Sequence, residues 1–196
     1  MSEEVVIVFG DSVAMGLWDE RGGWPERLWD GHSRIVYNLG VDGNTSEDVK
    51  NRFSLEAKSR GANKNSVIIF AVGINDSSRM NGENRVKLAK YMSNMERLID
   101  QAKGQFTEKI LCVGLTRIDE SKTDPFILEK TISFFAADQN AYDSALRTVC
   151  DRKGVSYVSL KNLKLENHLS DDGVHPLSSG HAIIAKRVLE ALNQRA

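Results

Sequence analysis

Residues able to do acyl-transfer chemistry stand at four places in this chain. Gly10-Asp11-Ser12 follows an apolar run from Val5 to Phe9. Asn38 to Thr45, with Gly40 and Gly43 inside it, follows a second run from Ile35 to Tyr37. Gly73-Ile74-Asn75-Asp76 follows a third, Val67 to Val72. Asp171-Asp172-Gly173-Val174-His175-Pro176 precedes the last helical pattern. Together they offer a hydroxyl, glycine N–H groups, a carboxamide and an Asp/His pair, which are the parts of an acyl-transfer site. A serine hydroxyl is a poor nucleophile until a base takes its proton. His175 suits that role, because an acid stands just before it and the pair sits in a loop ahead of a proline. His32 lies in a Gly-His-Ser turn, His168 in a polar stretch, and His181 on the helical face shared by Ile184 and Val188. Asp171 and Asp172 both stand close enough to be the acid.

Each of these residues also has a structural reading. Gly-Asp-Ser is a common turn, and the Asp11 carboxylate can hold it by accepting backbone N–H groups. Gly43 can be a turn glycine, Asn75 a helix cap, and Asp76 a support for its loop.

The elements that must position them follow from periodicity. Val5–Phe9, Ile35–Tyr37, Val67–Val72, Ile110–Leu115 and Val155–Val158 read as strands, the first and third buried on both faces. Helices are expected from Pro25 to Asp30, from Thr45 to Lys58, through Leu88, Met92, Met95 and Ile99, from Asp138 to Lys153 with Gly154 as the stop, and from Pro176 to about Gln194. Strands alternating with helices predict a three-layer α/β/α fold around a five-stranded parallel sheet. In such sheets ligands bind beyond the carboxyl ends of the strands, where three of the four clusters stand. One irregular segment, Thr116 to Ala137, carries Phe126, Ile127, Leu128, Phe134 and Phe135. It reads either as a short helix packed on the core or as a lid lining a substrate pocket through Phe126 and Phe134. Trp18, Trp24 and Trp29 follow the nucleophile turn and read as core packing, with Trp18 also a candidate substrate wall.

Composition sets the outer bounds. The 196 residues suit one domain, 1–196, and 41% hydrophobic with 27% charged residues is the balance of a globular chain rather than a disordered one. A net charge of -1 without a long Lys/Arg run gives no reason to expect a nucleic-acid partner. No stretch approaches the length of a membrane span, and the first residues lack the basic and apolar regions of a signal peptide. A cytoplasmic location is expected, with Cys112 and Cys150 as buried thiols. No Cys/His cluster has metal spacing, and no glycine-rich phosphate loop follows the first strand.

The four segments resemble the four motif blocks of the SGNH (GDSL-type) hydrolase superfamily. Phe9-Gly10-Asp11-Ser12 is similar to the nucleophile block, with Val13 where leucine is more usual. Gly43, Asn75 and the pair Asp172 and His175 match the others, and that spacing selects Asp172 over Asp171. The resemblance runs from Val5 to His175. It implies a flavodoxin-like strand order and a serine esterase that needs no cofactor or metal. Ser12 would be the nucleophile, His175 the base and Asp172 its orienting acid. Ser12 N–H, Gly43 N–H and the Asn75 amide would form the oxyanion hole. The expected substrate is a small-molecule carboxylic ester with a short to medium acyl chain. Carbohydrate acetylesterase, thioesterase and lysophospholipase activities are alternatives, as is a ligand-binding pseudoenzyme, against which the intact residues argue.

Overall fold

The computed structural model describes residues 4–29, 31, 33–161 and 168–194. His32 lies outside the described residues, as does the expected helix end at Asp30. Along the chain, β1 (Glu4–Gly10) leads through α1 (Ser12–Met15) and α2 (Gly23–Glu26) to β2 (Arg34–Gly40), α3 (Ser46–Ser59) and β3 (Val67–Ala71). Then come α4 (Ile74–Ser77), two short strands β4 (Arg79–Met80) and β5 (Glu83–Asn84), α5 (Leu88–Gln105) and β6 (Ile110–Val113). A 3-10 turn, Glu120–Lys122, and the short strand β7 (Ile132–Ser133) precede α6 (Ala136–Lys153), β8 (Ser156–Val158) and α7 (Ser178–Asn193).

Five strands pair in parallel in the order β2-β1-β3-β6-β8. This is the flavodoxin-like arrangement, and its order reverses between β1 and β3. Alternation within each strand sends side chains to two cores. Ile7, Phe9, Ile68, Phe70, Ile110 and Cys112 face one layer, where Val49 and Phe53 of α3, Met95 and Leu98 of α5, and Leu146 and Val149 of α6 cover them. Val6, Val8, Val67, Ile69, Leu111 and Val113 face the other, under Val13, Trp24 and the α7 residues Ile184 and Val188. The apolar runs lack a polar face because both faces are covered.

Several boundaries differ from the sequence reading, each for a local reason. The helix expected from Pro25 stops at Glu26, because Leu28 N–H turns back to the Pro25 carbonyl at 2.9 Å in a tight i→i+3 turn. Pro176 stays outside α7, pairing in an isolated bridge with Leu169. Of the three tryptophans only Trp24 is in the core; Trp18 and Trp29 are exposed. Residues 116–137 are neither a packed helix nor a free loop. Thr123 bridges Phe126, and β7 pairs antiparallel with β4, in the segment just after Asn75. Cys112 and Cys150 are both buried thiols. Among the described residues no helix is long and apolar enough to cross a membrane.

Candidate active site

The crevice at the reversal of strand order is flanked by the ends of β1 and β3, and both ends carry candidate residues. After β1, Asp11 caps α1 by accepting the Val13 N–H at 3.0 Å, which puts Ser12 in the first turn. Ser12 Oγ lies 2.7 Å from Nε2 of His175, 163 residues away. The His175 Nδ1 lies 2.8 Å from Oδ2 of Asp172. All three side chains are buried, and Asp171 is exposed. The structure therefore brings together Ser12, His175 and Asp172 and leaves Asp171 at the surface.

The Asp172–His175 loop is held by its own acid. Asp172 Oδ1 accepts the Val174 and His175 N–H groups at 2.8 and 2.9 Å. Burial alone raises its pKa, but these bonds and the ring contact with His175 outweigh it and hold the carboxyl below the ordinary range. Gly173, at φ +77°, lets the loop turn; a Cβ there would stand 2.9 Å from the Asp119 carbonyl. The 116–137 segment abuts the loop at that point, where Asp119 N–H donates to the Gly173 carbonyl at 2.7 Å. Phe126 and Phe134 are buried as an edge-to-face pair, with Phe126 6.3 Å from the His175 ring. Phe134 packs on Phe126, Phe126 alone reaches the imidazole, and their neighbours Ile127 and Leu128 are exposed.

Three candidate donors stand after β1, β2 and β3, at Ser12, Gly43 and Asn75. Gly43 takes φ +71°, a backbone that favours glycine. Among the described residues the Ser12 and Gly43 N–H groups meet no acceptor. The Asn75 amide gives one hydrogen to the Asn44 carbonyl at 3.0 Å, leaving its second for a ligand. Arg85 bridges both outer donors. It reaches the Gly43 carbonyl at 3.1 Å and Asn75 Oδ1 at 3.4 Å, which fixes the amide with its nitrogen toward the crevice. Arg52 of α3 ties the same region from below, donating to the carbonyls of Gly10 and Leu39 and to Asn44 Oδ1. Asp76 accepts from the Ser46 N–H and hydroxyl at the start of α3, which is the loop-supporting role read from its position.

Two contacts have no signal in the sequence. Arg85 is one; the other is Trp18. This residue has φ +66°, uncommon for a bulky side chain, and its indole N–H donates to Asp172 Oδ2 at 2.8 Å. The same oxygen thus takes both the imidazole and the indole. Trp18→Phe keeps the ring and removes the donor. It is expected to lower kcat on a methyl ester by about ten- to a hundredfold, the worth of a hydrogen bond to a charged group, with KM nearly unchanged. In an Asp172→Asn background the same change should cost much less. Equal losses in both backgrounds would show that Trp18 does not act through Asp172.

His181 is wholly buried in α7, and among the described residues neither ring nitrogen has a hydrogen-bond partner. Burial lowers its pKa to about 4, so it stays neutral at ordinary pH and belongs to the core. His168 contacts Ser179 at 2.7 Å, away from the triad. Among the described residues no three His, Cys, Asp or Glu side chains gather as metal ligands would.

Burial raises the Asp76 carboxyl to about 6 against the opposing Ser46 hydrogen bonds. The unfolded chain titrates this group near pH 4, so between about pH 4 and 6 the folded state holds the extra proton, and stability falls as pH rises. Relative to Asp76→Asn, the wild type is expected to lose stability across that window and level off above it. Denaturant melts of both proteins from pH 4 to 8 check this; a wild type gaining on the variant as pH rises contradicts it.

A model of the GDSL-like Lipase/Acylhydrolase family matches residues 8–183. Among solved structures, the lipase/acylhydrolase from Enterococcus faecalis superposes with a TM-score of 0.81 at 16% identity, covering 98% of this chain and 96% of that one. A lipolytic G-D-S-L family protein from Veillonella parvula gives 0.75 at 18% identity, covering 97% and 99%. The acetylxylan esterase Axe2 from Geobacillus stearothermophilus gives 0.72 at 20%, covering 96% and 94%. These likenesses are of fold. No curated protein sequence gives a significant match.

Proposed function

This chain belongs to the GDSL-like lipase/acylhydrolase family, and from that premise we propose that it is a serine esterase that hydrolyses carboxylic esters through an acyl-Ser12 intermediate. The observation that carries the reading is the continuous relay from Ser12 Oγ through His175 to Asp172, at 2.7 and 2.8 Å.

In this reading His175 Nε2 takes the Ser12 proton as Oγ attacks the ester carbonyl. Asp172, kept ionised, fixes the tautomer that leaves Nε2 basic and stabilises the imidazolium that forms. The carbonyl oxygen becomes an oxyanion between the Ser12 and Gly43 N–H groups and the Asn75 amide, each contributing about 3 kcal/mol to lowering the barrier. The intermediate collapses as the C–O bond to the alcohol breaks and His175 passes its proton to the departing oxygen. Water, deprotonated by His175, then attacks the acyl-enzyme, and as the C–Oγ bond breaks His175 returns that proton to Ser12 and the acid is released. No step calls on a metal or cofactor.

Short to medium acyl chains are the expected substrates. Beyond Arg85 a surface hollow of about 530 Å³ is lined by Thr45, Glu47, Asp48, Val86, Lys87 and Lys90, a lining dominated by charged residues that suits a short acyl group better than a long alkyl chain. The test is p-nitrophenyl acetate under pre-steady-state conditions. A burst of p-nitrophenol equal to the enzyme concentration is expected wherever deacylation is the slower step, and steady turnover in every case. A purified, folded protein that turns over no ester would defeat the proposal.

A further inference from the structure

The surface next to the triad is unlike the rest of the molecule. Among the described residues nine large apolar side chains are exposed, and four of them, Trp18, Ile127, Leu128 and Leu177, line one groove of about 510 Å³. Single exposed apolar residues are ordinary, but a cluster built from three separate segments is not. Leu169 adds to the apolar lining, and the polar share of the wall is Ser170, Asp171 and Asp172. Both Asp172 oxygens are already engaged, Oδ1 by two backbone N–H groups and Oδ2 by the imidazole and the Trp18 indole. Asp172 has little left to offer the hydroxyls of a polar ligand.

Resting on the esterase reading, the chemistry orients an ester in this site. The carbonyl oxygen must point at Ser12 N–H, Gly43 and Asn75. The alkoxy oxygen must come within hydrogen-bond reach of His175 Nε2, because that nitrogen hands it a proton as it leaves. The alcohol portion therefore exits on the His175 side, and the groove meets that side through Asp172, which bonds Nδ1 of the same ring. The charged hollow beside Arg85 lies on the oxyanion side. We propose that the groove is a leaving-group subsite and that the enzyme selects esters of apolar alcohols, alkyl or aryl, over esters of sugars. Ile127 and Leu128 are thereby specificity-determining residues carried on the 116–137 segment, and the Trp18 ring closes the groove against Asp172.

Two substrate series separate the sides of the ester. One varies the alcohol at constant acetyl: methyl, butyl, hexyl and benzyl acetate, with a peracetylated xylose as the polar comparison. The other varies the acyl group at constant p-nitrophenol. In the first, kcat/KM is expected to rise about threefold for each methylene buried, so that hexyl acetate, with five more methylenes, exceeds methyl acetate by about two-hundredfold. The acetylated sugar should fall near methyl acetate. In Ile127→Ser/Leu128→Ser the hexyl-to-methyl ratio should drop to within a few-fold of one. These side chains are exposed, so the variant is expected to fold, and the wild-type series stands as a test without it. A flat alcohol series, a preference for the sugar ester, or a variant that changes only the acyl series would overturn the subsite while leaving the esterase reading intact. Absence of turnover on every ester in both series would remove the esterase reading and the subsite with it.

Discussion

Ser12→Ala is expected to abolish ester hydrolysis, lowering kcat by about 10⁶-fold while leaving the fold in place. The hydroxyl is small, sits at the first turn of α1, and makes its contact with His175 rather than with the core. Its removal takes away the bond-forming atom but no packing. His175→Ala should cost about as much, and the double variant little more than either, because a nucleophile and its base act as a unit. An organophosphate should place one adduct, on Ser12, and none on Ser12→Ala. Mass spectrometry of the labelled protein and active-site titration check both points. Near wild-type turnover by Ser12→Ala, or an adduct on another serine, would sink the mechanism.

Asp172→Asn should reduce kcat by about 10⁴-fold. An amide can still occupy the space, but it can present its nitrogen to His175 Nδ1 and so favour the tautomer with the wrong nitrogen protonated. It also removes the negative charge that balances the imidazolium. Asp171→Asn is the matched control one residue away. Its side chain is exposed, outside the relay, and its replacement should change kcat by less than about twofold, since surface substitutions remote from such features do little. Parallel kinetics on one ester decide between them. A larger loss at Asp171 would move the acid by one position.

Much of this site could be read in the sequence because its parts are chemically conspicuous and locally signalled. Ser12, Gly43 and Asn75 each stand after an apolar run that reads as a strand, and Asp172 stands within one turn of His175. Thr45 announced α3, and Gly154 closes α6 in a left-handed cap as expected. What escaped was set by partners distant in sequence. Nothing around Arg85 reveals that it will span Gly43 and Asn75. A tryptophan at positive φ is not foreseeable from Gly16-Leu17-Trp18, so its indole could not be assigned to Asp172. Residues 116–137 carried apolar bulk without a period, because β7 takes its register from Arg79 and Met80 rather than from its own neighbours. Phe126 and Phe134 are held within the segment itself, Phe126 N–H by the Ile132 carbonyl and Phe134 N–H by the Thr123 carbonyl.

The span of 163 residues between Ser12 and His175 has a consequence for synthesis on the ribosome. At about 5–20 residues per second, the nucleophile precedes its base by roughly ten to thirty seconds. For that time the growing chain can complete β1 and its neighbours β2 and β3 and display the oxyanion donors, yet it holds an unactivated hydroxyl. On the proposed mechanism, activity requires the loop from Ser170 to His175 to dock against Asp119 and α7 to close over the sheet. On the same mechanism, a chain cut short between residues 158 and 170 carries the nucleophile and all five strands of the sheet but cannot cleave an ester.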